Sequence, residues 1–600
     1  MDNMNKMGFL ILFTILSFIN CSDKENDAGN SNGNGSGEVE NVDLWVENSL
    51  IDIFHDLKPS EQSAKQLQIE MVRNESESMQ IALRSPEKLS DVKIEIEPFA
   101  ESDAPKIKAM PISLVLNSKS SYGFTGEHAG IKSTYKRRDS PAYFPEYYTI
   151  NAIGNVDQNR SYGIAIEATS TSSTPAGTYN TTAVLSSGEN ELGKIPITIT
   201  VHDVVLPDPK DSQFSYTNWI TPFHWWSGEV NETYNVCWSV NQLDNNFFTL
   251  MSNFAKVMKK ERQNTIMVPL GLLLSDATFN SDGKMNFTFK SFDRYIQAFI
   301  DNGSIKNLEG EHWYEMNWNG SEDPYNTSLV AKIIHKGENG KAKFARVAVD
   351  SPEAQSYFDQ FIPLLYNHLK AKGWEKMWIQ HVQDEPMVTV QHVAINEMYN
   401  RILREMPMVR TVDAGSRQKD WFADDLSIFC PQINYYEEDR SGYDAIGERP
   451  NQELWTYTCV NPQMDDFMTR IADYPLLSSR VIGWYLWQRK ITGYLHWAWN
   501  LYGQAKNPNQ PFADMYCEGA AGDGWLVYPD KENHSVYEGP RSTSVRDSFE
   551  DYEILALAAK KNLAQTQTIC AEIVSSGTQF VREPEKLLEA RLKLIQLAAK

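Results

Sequence analysis

The sequence predicts a multidomain protein: an N-terminal all-β sandwich, a central α/β domain of the (β/α)8 TIM-barrel type, and a small C-terminal helical region. Three observations carry this. Between about residues 40 and 205, apolar residues recur at every second position, with turn signals between the runs. From Phe214 to Trp499, eight strand-like runs alternate with helix-like ones. The two textures meet at Leu206-Pro207-Asp208-Pro209-Lys210, a proline-rich linker that cannot continue a sheet.

Residues 1–21 read as a secretory signal. Lys6 supplies a weakly positive start, and Phe9 to Ile19 is an 11-residue apolar run, too short to anchor across a bilayer. Cys21 follows directly. A cysteine there favours a bacterial lipoprotein, in which cleavage leaves Cys21 as the lipidated N-terminus, although Asn20 is bulkier than the residue usual before it. The alternative is ordinary signal cleavage beside an incidental cysteine. Residues 22–40 open with Ser22-Asp23-Lys24-Glu25-Asn26-Asp27 and turn Asn/Gly/Ser-rich. They have almost nothing to bury and are expected to form a flexible tether. The acidic start resembles the signal that sends some bacterial lipoproteins to the outer cell surface. The expectation is an exported chain, lipid-anchored in the outer membrane and exposed at the cell surface, touching the membrane only through that lipid.

Composition narrows the function. A net charge of −23 excludes a nucleic-acid backbone as partner, since phosphate binding needs a basic surface. Aromatic residues make up 12% of the chain, with 16 Trp, which suits a large core and also a sugar cleft, where pyranose C–H faces stack on rings. Besides Cys21 there are Cys237, Cys430, Cys459, Cys517 and Cys570, odd in number and irregular in spacing. With no CxxC, HExxH or EF-hand loop, neither a disulfide framework nor a metal site is indicated, and no cofactor is expected.

Taken in order, residues 41–209 form the sandwich. Val92 to Ile96 alternates, Ser173-Thr174-Pro175-Ala176-Gly177-Thr178-Tyr179 is a turn leading into a strand, and Ile195, Ile197, Ile199 and Val201 alternate with polar neighbours. Residues 210–515 form the barrel, with strands at 214–219, 265–269, 304–308, 376–382, 409–414, 427–431, 453–458 and 493–499. Helices are expected at 245–260, 352–371, 390–405 and 475–490. The residues from Leu308 to Asp350 read as a long loop on the active-site face. Residues 516–600 begin with a Gly-rich stretch, 518–529. An amphipathic helix then starts at Arg546, and the rest reads as helical to Lys600.

The chemistry centres on Asp384 and Glu385. The apolar run from Met377 to Val382 leads straight into them, and Pro386 follows. Consecutive strand residues point to opposite faces, so the two carboxylates share a site only if the strand has already ended. Pro386 supports that, because proline suits a first helical position and disfavours helix at the residue before it. Taken alone, an Asp-Glu-Pro triplet more often caps a helix. At the C-terminal end of a barrel strand, two carboxylates are what glycoside hydrolysis requires.

The run from Trp378 to Pro386 resembles the catalytic segment of glycoside hydrolase family 123. Residues 522–529 with Gly539-Pro540 and the stretch from Arg546 to Glu553 resemble its C-terminal signature, and 175–179 is similar to its N-terminal sandwich. The resemblance implies an exo-acting, retaining β-N-acetylgalactosaminidase in which the substrate's own 2-acetamido oxygen attacks the anomeric carbon, giving an oxazolinium intermediate. It implies that Asp384 orients the acetamido group and that Glu385 is the general acid/base. The substrate is then a glycan or glycolipid. Tyr435 and Tyr436 are further candidates, for the acetamido carbonyl. Trp497 and Trp499, two apart and so on one face of a strand, are candidates for a sugar floor. Asn218 and Trp219, which end strand one, and His312 and Trp313, in the long loop after strand three, are candidates by their place. His381 and His496, within strands, read as satisfied core histidines. Two rivals stay open: a glycosidase of the same scaffold for a sugar without an acetamido group, and a non-catalytic glycan-capturing lipoprotein.

Overall fold

Eight parallel strands close into a barrel: Ser215–Asn218, Thr265–Val268, Asn307–Gly310, Trp378–His381, Arg410–Asp413, Ile428–Phe429, Glu453–Tyr457 and Gly493–His496. This computed structural model describes residues 42–126, 130, 132–149, 153–225, 227–316, 329–386, 392–415, 426–502 and 519–600. The expected signal, the tether and Cys21 lie outside these residues, as does Cys517. Residues 41–600 form one compact unit.

Each predicted strand run overlaps one barrel strand. The third is displaced, Asn307–Gly310 instead of 304–308, because its second half contains the buried carboxylate of Glu309 and does not read as apolar. The period-2 rule then sorts the side chains. Met267, Ile379, Ile428, Trp455 and Leu495 join one cluster that fills the lumen, whereas Ile266, Leu308, Trp378, Leu454 and Tyr494 face the outer core. The four predicted helices are found at Asn245–Lys260, Pro352–Lys372, His392–Glu405 and Leu476–Gln488. Asp244 caps the first, its carboxylate accepting from Asn246 N and Phe247 N, and Lys259 and Lys260 close it at the negative end of the helix dipole.

The expected long loop after the third strand is instead a three-stranded antiparallel sheet, Tyr314–Met316, Leu329–Lys336 and Ala342–Ala348. The outer strand, Ala342–Ala348, has no fully buried residue, which is why its sequence carries no clear alternation. The insert does stand on the active-site face, as expected.

Before the barrel lie two five-stranded sheets. In the second, Asn190–Val205 pairs antiparallel with Gly177–Ser187 and parallel with Leu67–Arg73, burying Ile195, Ile197, Ile199 and Val201 as the alternation requires. The first sheet presents carboxylates to the rest of the molecule. Arg480 of the helix Leu476–Gln488 bonds Glu77, Asp547 and Asp551. Arg591 bonds Glu75 and Asp551, and Arg546 bonds Glu167 at 2.5 Å. All of these groups are buried.

This ionic seam explains a departure from expectation in the C-terminal region. The helical stretch there runs Pro540–Ile573, beginning before Arg546 and kinked at Asn562, and a further helix spans Pro584–Ala598. The stretch from Pro540 to Leu555 is buried on every side, so it is not amphipathic: its charged residues face counter-ions, not water.

Candidate active site

The fourth strand ends at His381, before the two carboxylates, so Asp384 and Glu385 escape strand alternation and open onto one cavity. Glu385 has φ 44°, a left-handed conformation that a non-glycine residue adopts only when its surroundings impose it. The helix expected to start near Pro386 is described only from His392, so the cap reading falls on residues outside the described ones. The cavity measures about 240 Å³ and is walled by Trp225, His312, Tyr314, Glu315 and Lys332 around the two carboxylates.

The Asp384 side chain is open to the cavity, 49% exposed, yet sits deep in the barrel mouth with protein on all other sides. That burial, reinforced by Glu385 and by Glu309, holds its carboxyl well above the usual range. Burial also raises Glu385. A bond from the Tyr457 hydroxyl to its Oε1 opposes the rise, and Asp523 adds to it. Tyr457 reaches this place because it ends the seventh strand, two residues after the lumen-facing Trp455.

Other carboxylates ring the pair. Asp523 is pushed up to about 7 by burial, against the Trp497 indole N–H at 2.9 Å and the nearby Arg470. Arg470 donates to His496 Nδ1 at 2.7 Å, which leaves the ring proton on Nε2, 3.2 Å from Asp523 Oδ1. Asp413, at the end of the fifth strand, is raised by burial and by Asp384 and Glu385, and lies 3.1 Å from the Tyr399 hydroxyl. Beneath the cavity, Glu309 accepts from Thr217 at 2.8 Å, from the Trp219 indole at 2.9 Å and from His381 at 2.5 Å.

The insert supplies the far wall. Lys332 is buried between Glu311 at 2.7 Å and Glu315 at 3.2 Å, and Glu311 also accepts from the backbone N–H of Leu270 at 2.5 Å. These bonds fix the three-stranded sheet to the ends of the second and third barrel strands. Among the described residues, no group of three or more His, Cys, Asp or Glu is arranged to hold a metal ion.

Of the residues singled out in the sequence, the structure brings Asp384, Glu385 and His312 to the cavity. Trp219 stands in the lumen just behind, edge-on to His312 with ring centres 5.2 Å apart. Trp497 packs on the lumen cluster beside Tyr457. The others have different work. Trp499 does not share a face with Trp497: the eighth strand ends at His496, alternation stops there, and the Trp499 indole bonds Glu261 in the outer core. Trp313 is buried against Phe358 and Phe361 of the helix Pro352–Lys372. Asn218 faces outward and is held by Tyr216, Gln263 and Arg470. Tyr436 is buried, its hydroxyl on Asp444 at 2.7 Å, because the residues after the sixth strand form a short helix, Ile433–Glu438, that turns it into the outer core. Tyr435, half-buried on the same helix, is not among the residues lining the cavity. His381 and His496 are both buried and bonded.

Sequence reading missed Tyr457, Trp225, Lys332, Glu309 and Asp523. Tyr457 carried a usable signal, as the last residue of a barrel strand. Lys332 carried none, because its segment read as loop.

A family model described as "Glycoside hydrolase 123, catalytic domain" matches residues 225–558. Among solved structures, a family 123 glycoside hydrolase from Clostridium perfringens, studied for glycolipid glycan hydrolysis, superposes with a TM-score of 0.67 at 14% identity, covering 93% of this chain and 97% of its own. A Bacteroides ovatus GH5 xyloglucanase follows with a TM-score of 0.30 at 8% identity, covering 81% of this chain and 98% of its own. No curated protein matches the sequence.

Proposed function

We propose, from the premise that this chain belongs to glycoside hydrolase family 123, that it releases terminal β-linked N-acetylgalactosamine from a glycan or glycolipid by substrate-assisted catalysis with retention. The observation that carries the proposal is the meeting of Asp384 and Glu385 in one cavity, with Glu385 held toward its protonated form. A general acid must start protonated, and burial favours the protonated form of Glu385. The acetamido oxygen then attacks the anomeric carbon, Glu385 gives its proton to the departing oxygen, and the same carboxylate later takes a proton from the water that opens the oxazolinium ring. Asp384 accepts the acetamido N–H. In the empty site its carboxyl is raised, but the positive charge of the developing oxazolinium favours the anion beside it. The cavity, small beside ordinary ligand pockets of roughly 300–1,000 Å³, suits one sugar ring and hence an exo action. Glycolipid is one of the proposed substrate forms in keeping with the described activity of the Clostridium perfringens neighbour.

The test is hydrolysis of chromogenic β-GalNAc, β-GlcNAc and β-Gal by the protein lacking residues 1–21, beside its Asp384→Asn and Glu385→Gln variants. Release from β-GalNAc alone, lost in both variants, is the expected result. Turnover of β-Gal removes the neighbouring-group mechanism, because that sugar has no acetamido oxygen.

Tyr457→Phe is expected to shift the pH profile. The tyrosine bond favours the charged form of Glu385 and holds its pKa down. Activity needs the protonated form and falls as pH rises through that pKa. Removing the bond lets the pKa rise, so the basic limb of the kcat/KM profile moves to higher pH. A limb that stays in place, or moves down, separates Tyr457 from the acid.

We also propose lipid anchoring at Cys21 and exposure at the outer cell surface. Cys21→Ser is expected to abolish incorporation of labelled palmitate and to release the protein from the membrane fraction. Unchanged labelling would leave ordinary cleavage as the better reading.

A further inference from the structure

We propose that His312 is a positioning residue for Asp384: when substrate occupies the cavity, His312 donates a hydrogen bond from Nε2–H to Asp384 Oδ1 and turns the other carboxylate oxygen toward the acetamido N–H. The inference rests on the acetamido-assisted reading of the site.

The first observation is a polar side chain with nothing to bond. His312 is 3% exposed, and among the described residues neither Nδ1 nor Nε2 has a hydrogen-bond partner. Buried polar atoms are nearly always paired, and an imidazole with both nitrogens unpaired is costly. The second is its position. Nε2 lies 3.9 Å from Asp384 Oδ1, too far for a hydrogen bond and within one side-chain rotation of making one. Asp384 is the mobile partner, since its carboxylate opens onto the cavity while His312 is packed. The His312 ring lies edge-on to Trp219 at 5.2 Å and against His381 at 4.6 Å. Both of those rings are fastened to Glu309. The following backbone is fastened too, with Trp313 N and Tyr314 N both bonding Val382 O, at 3.1 and 2.8 Å.

The charge state is suitable. Burial, His381 and Lys332 hold His312 well below its ordinary pKa, so it is neutral and has one N–H to give and no charge to neutralise Asp384. A carboxylate that accepts such a bond is stabilised as the anion. Closing the gap therefore favours the ionised Asp384 that the oxazolinium needs, at the moment the substrate arrives.

A double-mutant cycle with Asp384→Asn tests this, because a residue acting only through Asp384 has nothing left to do once that carboxylate is gone. His312→Phe, which keeps a packed ring and removes both nitrogens, is expected to lower kcat on the β-GalNAc substrate roughly 10- to 100-fold with little change in KM. The double variant is expected to be no slower than Asp384→Asn alone, within about threefold. His312→Gln, whose amide N–H reaches similarly far, is expected to recover part of the loss. Penalties that multiply in the double variant, or wild-type kcat in His312→Phe, overturn the proposal. Should His312→Phe not fold, a crystal structure of the wild-type protein with a GalNAc-thiazoline, which mimics the oxazoline ring, decides it. An Nε2–Oδ1 separation below about 3.2 Å supports the proposal, and a gap that stays open overturns it. Failure of the wild type to turn over β-GalNAc at all falls on the acetamido reading and takes this inference with it. Turnover with multiplying penalties falls on His312 alone.

Discussion

Glu385→Gln is expected to lower kcat/KM on β-linked N-acetylgalactosaminides by roughly 10²–10⁴, and to do so unevenly across leaving groups. The amide is nearly isosteric and its oxygen still accepts the Tyr457 bond, so the local fold is kept. It has no acidic proton to deliver. A sugar or alkyl alcohol leaves poorly without that proton and should show the full loss. A dinitrophenolate leaves readily as the anion and should show much less in the bond-breaking step. A series of aryl and alkyl glycosides, with melting temperature as the folding control, measures this. An equal loss across the series would place Glu385 outside proton transfer to the leaving group, and the search for the acid would move to the other raised carboxyls near the pair, Asp523, held up to about 7, and Asp413.

The second large effect concerns stability. Arg480→Met is expected to destabilise the protein by about 3–5 kcal/mol, the range for breaking a buried ion pair from one side. The guanidinium is the shared partner of Glu77, Asp547 and Asp551. Methionine fills part of the space but removes the one cation all three share, leaving Glu77 and Asp551 on Arg591 and Asp547 on Arg546. The surroundings offer little relief: Asp547 is already pushed up to about 7 by burial, and Glu550 is raised by burial as well. A lowered urea midpoint, or loss of soluble protein, is the expected result. A midpoint within about 1 kcal/mol of wild type would mean that water or neighbouring cations reach the seam. Replacing the whole cluster with apolar residues of similar volume is a different experiment and need not destabilise, since the charges gain little net stability over packed side chains.

The barrel was legible because its strands are short and apolar and several of its helices carry caps or apolar periodicity. Asn245–Lys260 shows this best, with an aspartate cap before it and lysines at its end. The meeting of Asp384 and Glu385 in one cavity was legible because Pro386 marks the end of the strand ahead of them. The illegible parts share a cause, which is that tertiary partners override local pattern. Glu309 hid half a strand because a carboxylate in a lumen makes sense only beside Thr217, Trp219 and His381. The helix from Arg546 looked amphipathic because the counter-ions of this region come from residues hundreds of positions away, such as Glu77 and Glu167. Trp499 and Asn218 were placed by strand position alone, and that reasoning says nothing of residues beyond the strand end or on its outer side.

The same seam bears on how the chain is made. Glu77 lies in the early strand Ser76–Arg84, Glu75 directly precedes it, and Arg591 lies in the helix Pro584–Ala598. During vectorial synthesis Glu75 and Glu77 must wait for Arg591 until the helix Pro584–Ala598 has emerged. Domains in many proteins finish one after another as they are produced. Here the carboxylates of the first sheet cannot all meet their cations before the helix Pro584–Ala598 arrives, so the ion pairs of the seam close late even though the strands of that sheet can pair early.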